Sequence, residues 1–196
     1  MNNTDQLIKF IQYSEQLKLV IRNSWLSDNK TKESVAEHSW RMALMAMLIA
    51  PKTKLKLNME RVLKMILVHD LVEIETGDMP TILQIGNAIR QKQESEQNAI
   101  LLIKNKLDEP TRQEIYELWT EFEEQRSIES IYAKIIDKFE CIIQKNQQSV
   151  DMEAGADGYF EKLVSKCKID SYLETMCLEL WEESKKRNYL PNNRTK

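Results

Sequence analysis

The chain has 196 residues, 42% hydrophobic and 30% charged, enough to fold a core of its own as one domain and unlike a disordered tail. Four glycines and four prolines are too few for a sandwich or barrel of short strands and tight turns. A formal charge of −3, from 28 basic and 31 acidic residues, lacks the basic excess of a nucleic-acid binder, so no nucleic-acid polymer is expected as a partner.

Three cysteines, Cys141, Cys167 and Cys177, form no CxxC pair. They exclude a disulfide framework and a zinc ribbon and fit a reducing cytoplasm. The opening MNNTDQ has no basic stretch of the kind that starts an export signal. The longest apolar run, Met42 to Ala50, is nine residues, short of the ~18 that span a bilayer. A soluble cytoplasmic protein with no membrane partner is expected.

Helical periodicity runs through nearly the whole chain. Residues 4–22 align Leu7, Ile11, Leu17 and Ile21 on one side of a first helix, and a polar connection, Ser27 to Ser34, follows. A second helix starts near Val35 and stops at Pro51. Asn58 is a plausible N-cap for a third, which runs to about Gly77. Pro80 to Arg90 is ambiguous, with Gly86 inside it, and a polar helix spans about Gln91 to Leu107. Pro110 suits the first turn of a helix reaching Glu124. From Ser127, the residues Ile128, Ile131, Ile135, Phe139 and Ile142 keep 3,4 spacing to about Gln147. The stretch DMEAGADG (151–158) reads as a loop, and two amphipathic pieces occupy 159–187. The expected fold is all-α and requires no strand: a helical domain over 1–150, with C-terminal helices over 151–196 packed on it.

Histidine chemistry is confined to His38 and His69, the only two histidines. At about 100° per residue, His69, Asp70 and Glu73 fall on one arc with Met59, Val62, Leu63 and Ile66, while Arg61, Lys64 and Glu75 lie opposite. Three ionisable groups thus point at the core, and burying them unpartnered would cost several kcal/mol. A bound cation is an economical way to keep them there. His38 shares a stripe with Met42, Met45 and Ile49 and also points inward. The plain alternative is a pair of hydrogen-bonded core histidines. Asp137 lies opposite the centre of the Ile/Phe stripe, as a solvated aspartate would, but its neighbours at four residues either side, Ala133 and Cys141, are small enough to admit a second packed face. Helical wheels do not choose between these.

The segments ESVAEHSWRMALMAML (33–48), VHDLVEIETGD (68–78) and AKIIDKFE (133–140) carry the order H…HD…D. In this the chain resembles the HD-domain metal-dependent phosphohydrolases. Its extended strings EHSWR and HDxxExxxGD, with LWTEFEE (118–124), resemble the 5′-deoxynucleotidase branch over residues 17–145. Two positions depart from the usual pattern: Ser24 stands where glycine is common before the tryptophan, and Lys32 where proline is common.

The resemblance implies that His38, His69, Asp70 and Asp137 ligate one divalent metal ion, and that Glu73 acts on the water or the leaving group. It also implies that Asp78 faces the substrate sugar and that Arg22 and Trp25 hold the phosphate and exclude the wrong sugar. Read without it, Arg22 is a helix C-terminal arginine, Asp78 caps the turn after Gly77, and Trp25 covers a hydrophobic edge. Two imidazoles and two carboxylates suit Mn²⁺, Co²⁺, Fe²⁺, Ni²⁺ or Zn²⁺ alike. The expected activity is hydrolysis of (deoxy)ribonucleoside 5′-monophosphates to nucleoside and phosphate. An HD-type phosphodiesterase or triphosphohydrolase, and a non-catalytic nucleotide-binding module, are the alternatives. Related proteins are often dimers, so a homodimer is expected.

Overall fold

The structure, a computed structural model, describes residues 3–79, 87–148 and 156–189. Helix α1 (Asn3–Ser14) leads through a 3-10 turn (Glu15–Lys18) into an antiparallel hairpin of β1 (Ile21–Trp25) and β2 (Lys32–Ser34). There follow α2 (Val35–Ile49), α3 (Met59–Val68), the short α4 (Glu73–Thr76), α5 (Asn87–Lys104), α6 (Thr111–Glu124), α7 (Ile128–Gln147), α8 (Ala156–Cys167) and α9 (Ser171–Tyr189).

The all-α expectation holds apart from the hairpin, which replaces the end of the expected first helix. The cause is local. The Asp28 carboxylate accepts hydrogen bonds from Lys30 N (2.8 Å), Thr31 N (2.9 Å) and Thr31 Oγ1 (2.7 Å), closing a turn that reverses the chain. Asn29 adopts φ 54°, which asparagine tolerates better than most residues. Ile21 pairs with Ser34 and Trp25 with Lys32, with an irregularity between, and Val35 N continues the contact to Val20 O (3.0 Å). Arg22 therefore stands on a strand, not at a helix end.

The third helix is also shorter than expected. Its last α-type bond runs from His69 N to Met65 O (2.9 Å), and tight turns (Leu71 N to Val68 O, 3.2 Å; Glu73 N to Asp70 O, 3.0 Å) lead into α4. Gly77, at φ 72°, ends α4 in a conformation that favours glycine. Helix α5 starts four residues before its expected start, and Pro110 sits just ahead of α6. Of the expected 151–158 loop, 151–155 lie outside the described residues, and α8 already begins at Ala156; most of the ambiguous stretch 80–90 lies outside them as well.

Helices α2, α3 and α7 pack against one another around Met42, Ala46, Val62, Met65, Ile66, Tyr132, Ala133, Ile136 and Phe139, all fully buried. Burying side chains of Leu, Ile or Phe size contributes about 1.5–3 kcal/mol each. Tyr132 donates its hydroxyl to Ala46 O (2.8 Å), tying α7 to the last turns of α2. Phe160, Leu163, Cys167, Leu173, Cys177 and Leu180 of α8 and α9 join the same core. Among the described residues, no helix is long and apolar enough to cross a membrane.

Candidate metal centre and active site

Each candidate ligand is set by a helix whose start the sequence encodes. Ser34 and Glu37 form a capping box at the start of α2 (Glu37 N to Ser34 Oγ, 3.2 Å; Ser34 N to Glu37 Oε2, 2.7 Å), which places His38 one turn in. Asn58 caps α3, and His69 comes directly after its last residue. Ser127 caps α7, which carries Asp137 at mid-length. Consecutive side chains on a regular helix diverge by about 100°. His69 keeps helical backbone angles (φ −58°, ψ −40°), yet the Asp70 carboxylate brings its Oδ2 to 2.9 Å from His69 Nε2.

The four groups converge. His38 Nε2 lies 3.5 Å from Asp137 Oδ1 and 3.9 Å from Asp70 Oδ2, and the two imidazole rings are 5.7 Å apart between centroids. His38 and Asp137 are buried, so Asp137 is not the solvated residue of the wheel reading. The second packed face of α7, through Ala133, Asp137 and Glu140, is real.

The proton positions explain why these groups fit a cation. His69 Nδ1 lies 2.7 Å from Ile66 O, an acceptor only, so Nδ1 carries a hydrogen and Nε2 is the nitrogen turned towards the carboxylates. His38 Nδ1 is in turn engaged by Glu140 Oε2. Both Nε2 atoms are buried without a hydrogen-bond partner while facing carboxylate oxygens. An unsatisfied buried polar atom costs about 1–3 kcal/mol. A divalent ion among the two nitrogens and two carboxylates would satisfy all four groups, with each imidazole oriented by an acceptor behind it. A second grouping, His38, Glu140 and Cys141, also brings potential ligand atoms within reach. It is less suited, because Glu140 already engages the His38 ring and the Arg22 guanidinium donates to Cys141 Sγ at 3.2 Å.

The electrostatics of these groups are strongly perturbed. Burial and Arg22 push His38 down, but its contacts with Asp137 and Glu140 outweigh them and raise its pKa to about 9. Burial would raise Asp70, yet His69, His38 and Arg22 together hold it well below the usual carboxylate range. Glu73, at the start of α4, is buried with Oε2 unpartnered; burial first, then Asp70 and Asp78, push it up to about 10.

The hairpin supplies a cation to the same place. Arg22 Nη1 lies 3.7 Å from Asp70 Oδ2, and Nε donates to Glu33 Oε2 at 3.2 Å. Asp78, half-buried after Gly77, is near enough to add to the field at Arg22 and Glu73. Trp25 is half-buried at the end of β1, with Lys32 Nζ 4.2 Å from its ring centroid and its carbonyl bonded by Gln144. No contact of the Trp25 ring with the histidine cluster is among those described.

Sequence reasoning missed Glu33, Arg41, Glu140 and Lys138. Lys138 Nζ pairs with the outer oxygen of Asp137 at 3.0 Å, and Arg41 Nε donates to Glu140 Oε1 at 2.7 Å. The signal for Glu140 was present: once Asp137 is placed inward, a residue three further along α7 shares its face.

Comparison with known proteins agrees with this geometry. The HD domain family model matches residues 14–181. The chain is 38% identical to the 5′-deoxynucleotidase HDDC2 of Danio rerio over 144 residues, 73% of this chain and 70% of that one. It is 37% identical to human HDDC2 over 142 residues, 72% and 67% of the two chains. A crystal structure from Magnetospirillum magnetotacticum MS-1, described as a "predicted metal-dependent phosphohydrolase", superposes with a TM-score of 0.82 at 25% identity, over 96% of this chain and 98% of the other. The convergent H…HD…D cluster, the helical fold and these matches together show that the chain belongs to the HD-domain metal-dependent phosphohydrolases, in the branch that holds the 5′-deoxynucleotidases.

Proposed function

We propose that the chain hydrolyses (deoxy)ribonucleoside 5′-monophosphates to nucleoside and phosphate at a single divalent metal held by His38, His69, Asp70 and Asp137. The observation that carries this reading is the pair of buried, unpartnered Nε2 atoms facing two carboxylates. A bound divalent ion supplies Lewis acidity and lowers the pKa of water from ~15.7 towards ~7.

The protein groups do the rest. Four ligands of net charge −2 neutralise the ion, so a phosphate dianion still needs a cation. Arg22 provides it, its Nη1 turned towards Asp70. Glu73, buried at the start of α4 with one oxygen unpartnered, handles the proton exchanged between the attacking water and the departing 5′-oxygen. Asp78 accepts from the sugar 3′-hydroxyl, and Trp25 bounds the sugar side of the site. The homology to 5′-deoxynucleotidases supports the substrate class.

Two finer points belong to the same proposal. The chain forms a homodimer, supported by a stripe on α2 of Trp40, Leu44, Met47 and Leu48, which are 65%, 41%, 55% and 62% exposed. It works in a reducing cytoplasm, supported by three free cysteines. The metal is one of Mn²⁺, Co²⁺, Fe²⁺, Ni²⁺ or Zn²⁺.

The test is phosphate release from the five common deoxynucleoside monophosphates and their ribose counterparts, in parallel with tri- and cyclic nucleotides, with each metal in turn. Release from monophosphates alone is expected. Turnover confined to triphosphates or diesters would replace this reading.

A further inference from the structure

Arg22 and His38 belong to different elements and have different duties in the reaction proposed above, on which this inference rests. One buried run of alternating charges nevertheless connects them. Glu33, at 2% exposure, and Glu140, at 0%, each turn one oxygen towards an arm of the site and the other towards Arg41. Glu33 gives Oε2 to Arg22 Nε at 3.2 Å, and its Oε1 faces Arg41 Nη2 at 4.0 Å. Glu140 gives Oε2 to His38 Nδ1, and its Oε1 accepts from Arg41 Nε at 2.7 Å. The order is Arg22, Glu33, Arg41, Glu140, His38. Arg41 itself has no described contact with His69, Asp70, Asp137 or Glu73.

Two carboxylates buried near one another are a poor device for stability alone, since apolar residues of similar volume do as well or better. They are a good device for fixing direction. Glu140 holds the His38 ring so that Nε2 faces the candidate ligands. Glu33, with Cys141 Sγ at 3.2 Å from Nη2, occupies two positions of the Arg22 fork and leaves Nη1 turned towards Asp70. The guanidinium of Arg41 suits it to the joint: Nε and Nη2 both engage Glu140 Oε1, and Nη2 also lies 4.0 Å from Glu33 Oε1.

We propose that Glu33, Arg41 and Glu140 form a positioning unit that sets the phosphate-binding arm, Arg22, and the metal-binding arm, His38, in fixed relation, with Arg41 as the joint. Loss of Glu33 should then weaken anion binding, loss of Glu140 should weaken metal binding, and loss of Arg41 should weaken both.

Two dissociation constants read this without turnover: Mn²⁺ for the metal-free protein, and inorganic phosphate for the Mn²⁺-saturated protein, both by calorimetry. Glu33→Gln should raise the phosphate constant about tenfold and leave the Mn²⁺ constant within twofold. Glu140→Gln should raise the Mn²⁺ constant by about 10- to 100-fold, the usual effect of removing the group behind a ligating histidine. Arg41→Gln should raise both. Should Arg41→Gln fail to fold, Arg41→Lys, which keeps the charge without the fork, carries the same test with smaller shifts in both constants. The proposal is overturned if the arginine variant leaves both constants within twofold of wild type, or if the two glutamate variants shift both constants equally while only lowering thermal stability. If wild type binds Mn²⁺ and phosphate yet releases none from any nucleotide, the enzymatic reading fails and this inference is still judged on the two constants.

Discussion

Helices α2 and α7 and the turn that follows α3 carry the four candidate metal ligands, whereas the two-stranded hairpin carries Arg22 and Trp25. On the helical side, capping residues and an apolar core fix each ligand: Ser34, Asn58 and Ser127 start the three helices, and fully buried side chains lock them together. On the hairpin side there is little core. Ile21 is exposed, Trp25 is half-buried, and the guanidinium of Arg22 is held by charged and polar neighbours from β2 and α7. The first arrangement resists displacement because moving a ligand would disturb packed helices. The second depends on polar and charged contacts, which orient the Arg22 guanidinium without an apolar core behind it.

The largest expected effect tests the helical side. His69→Ala should abolish phosphate release and reduce bound metal from one ion per chain towards none, measured by elemental analysis. Retention of a full equivalent of metal would break the assignment of the helical cluster.

Glu73 stands between the two sides. Glu73→Gln should lower kcat by about 10²–10⁴-fold while metal content stays at one ion. An unchanged kcat would remove Glu73 from proton transfer.

The pH dependence of metal binding sharpens the helical side further. Metal-free His38, raised to about 9, is protonated at neutral pH, and a metal needs the neutral imidazole. Binding must therefore displace a proton. Affinity should rise by about tenfold per pH unit from 6 to 8 and level off near 9, with proton release seen by calorimetry in two buffers. A pH-independent affinity over this range would contradict the protonated, metal-free state.

The hairpin side should respond differently. Arg22→Ala should raise KM for a monophosphate by roughly 10- to 100-fold, as for loss of a charge-assisted hydrogen bond of about 1.5–3 kcal/mol. Metal content should stay at one ion. Loss of metal from this variant would erase the distinction between the two sides.

The same contrast explains what was legible in the sequence. His38, His69 and Glu73 could be placed inward because a helix repeats every 3.6 residues and their apolar neighbours mark the buried arc. Asp137 could not, because α7 is buried on more than one side and a single stripe describes only its main face. The hairpin was hidden by the helical spacing of Leu7, Ile11, Leu17 and Ile21, although Asp28-Asn29 carried a turn signal strong enough to reverse the chain. Glu33, Arg41 and Glu140 were invisible for another reason. Their partners lie 8 to 102 residues away, and no local period records such pairings.

The central claim is that two imidazoles and two carboxylates, from α2, α7 and the turn after α3, share one cation. A zinc anomalous-difference map from crystals grown with Zn²⁺ tests it most directly. The account predicts one strong peak, about 2.0–2.2 Å from His38 Nε2, His69 Nε2 and a carboxylate oxygen of both Asp70 and Asp137. A peak at Glu140 and Cys141 instead, or density showing both Nε2 atoms bonded to water or protein groups with no metal between them, would contradict it.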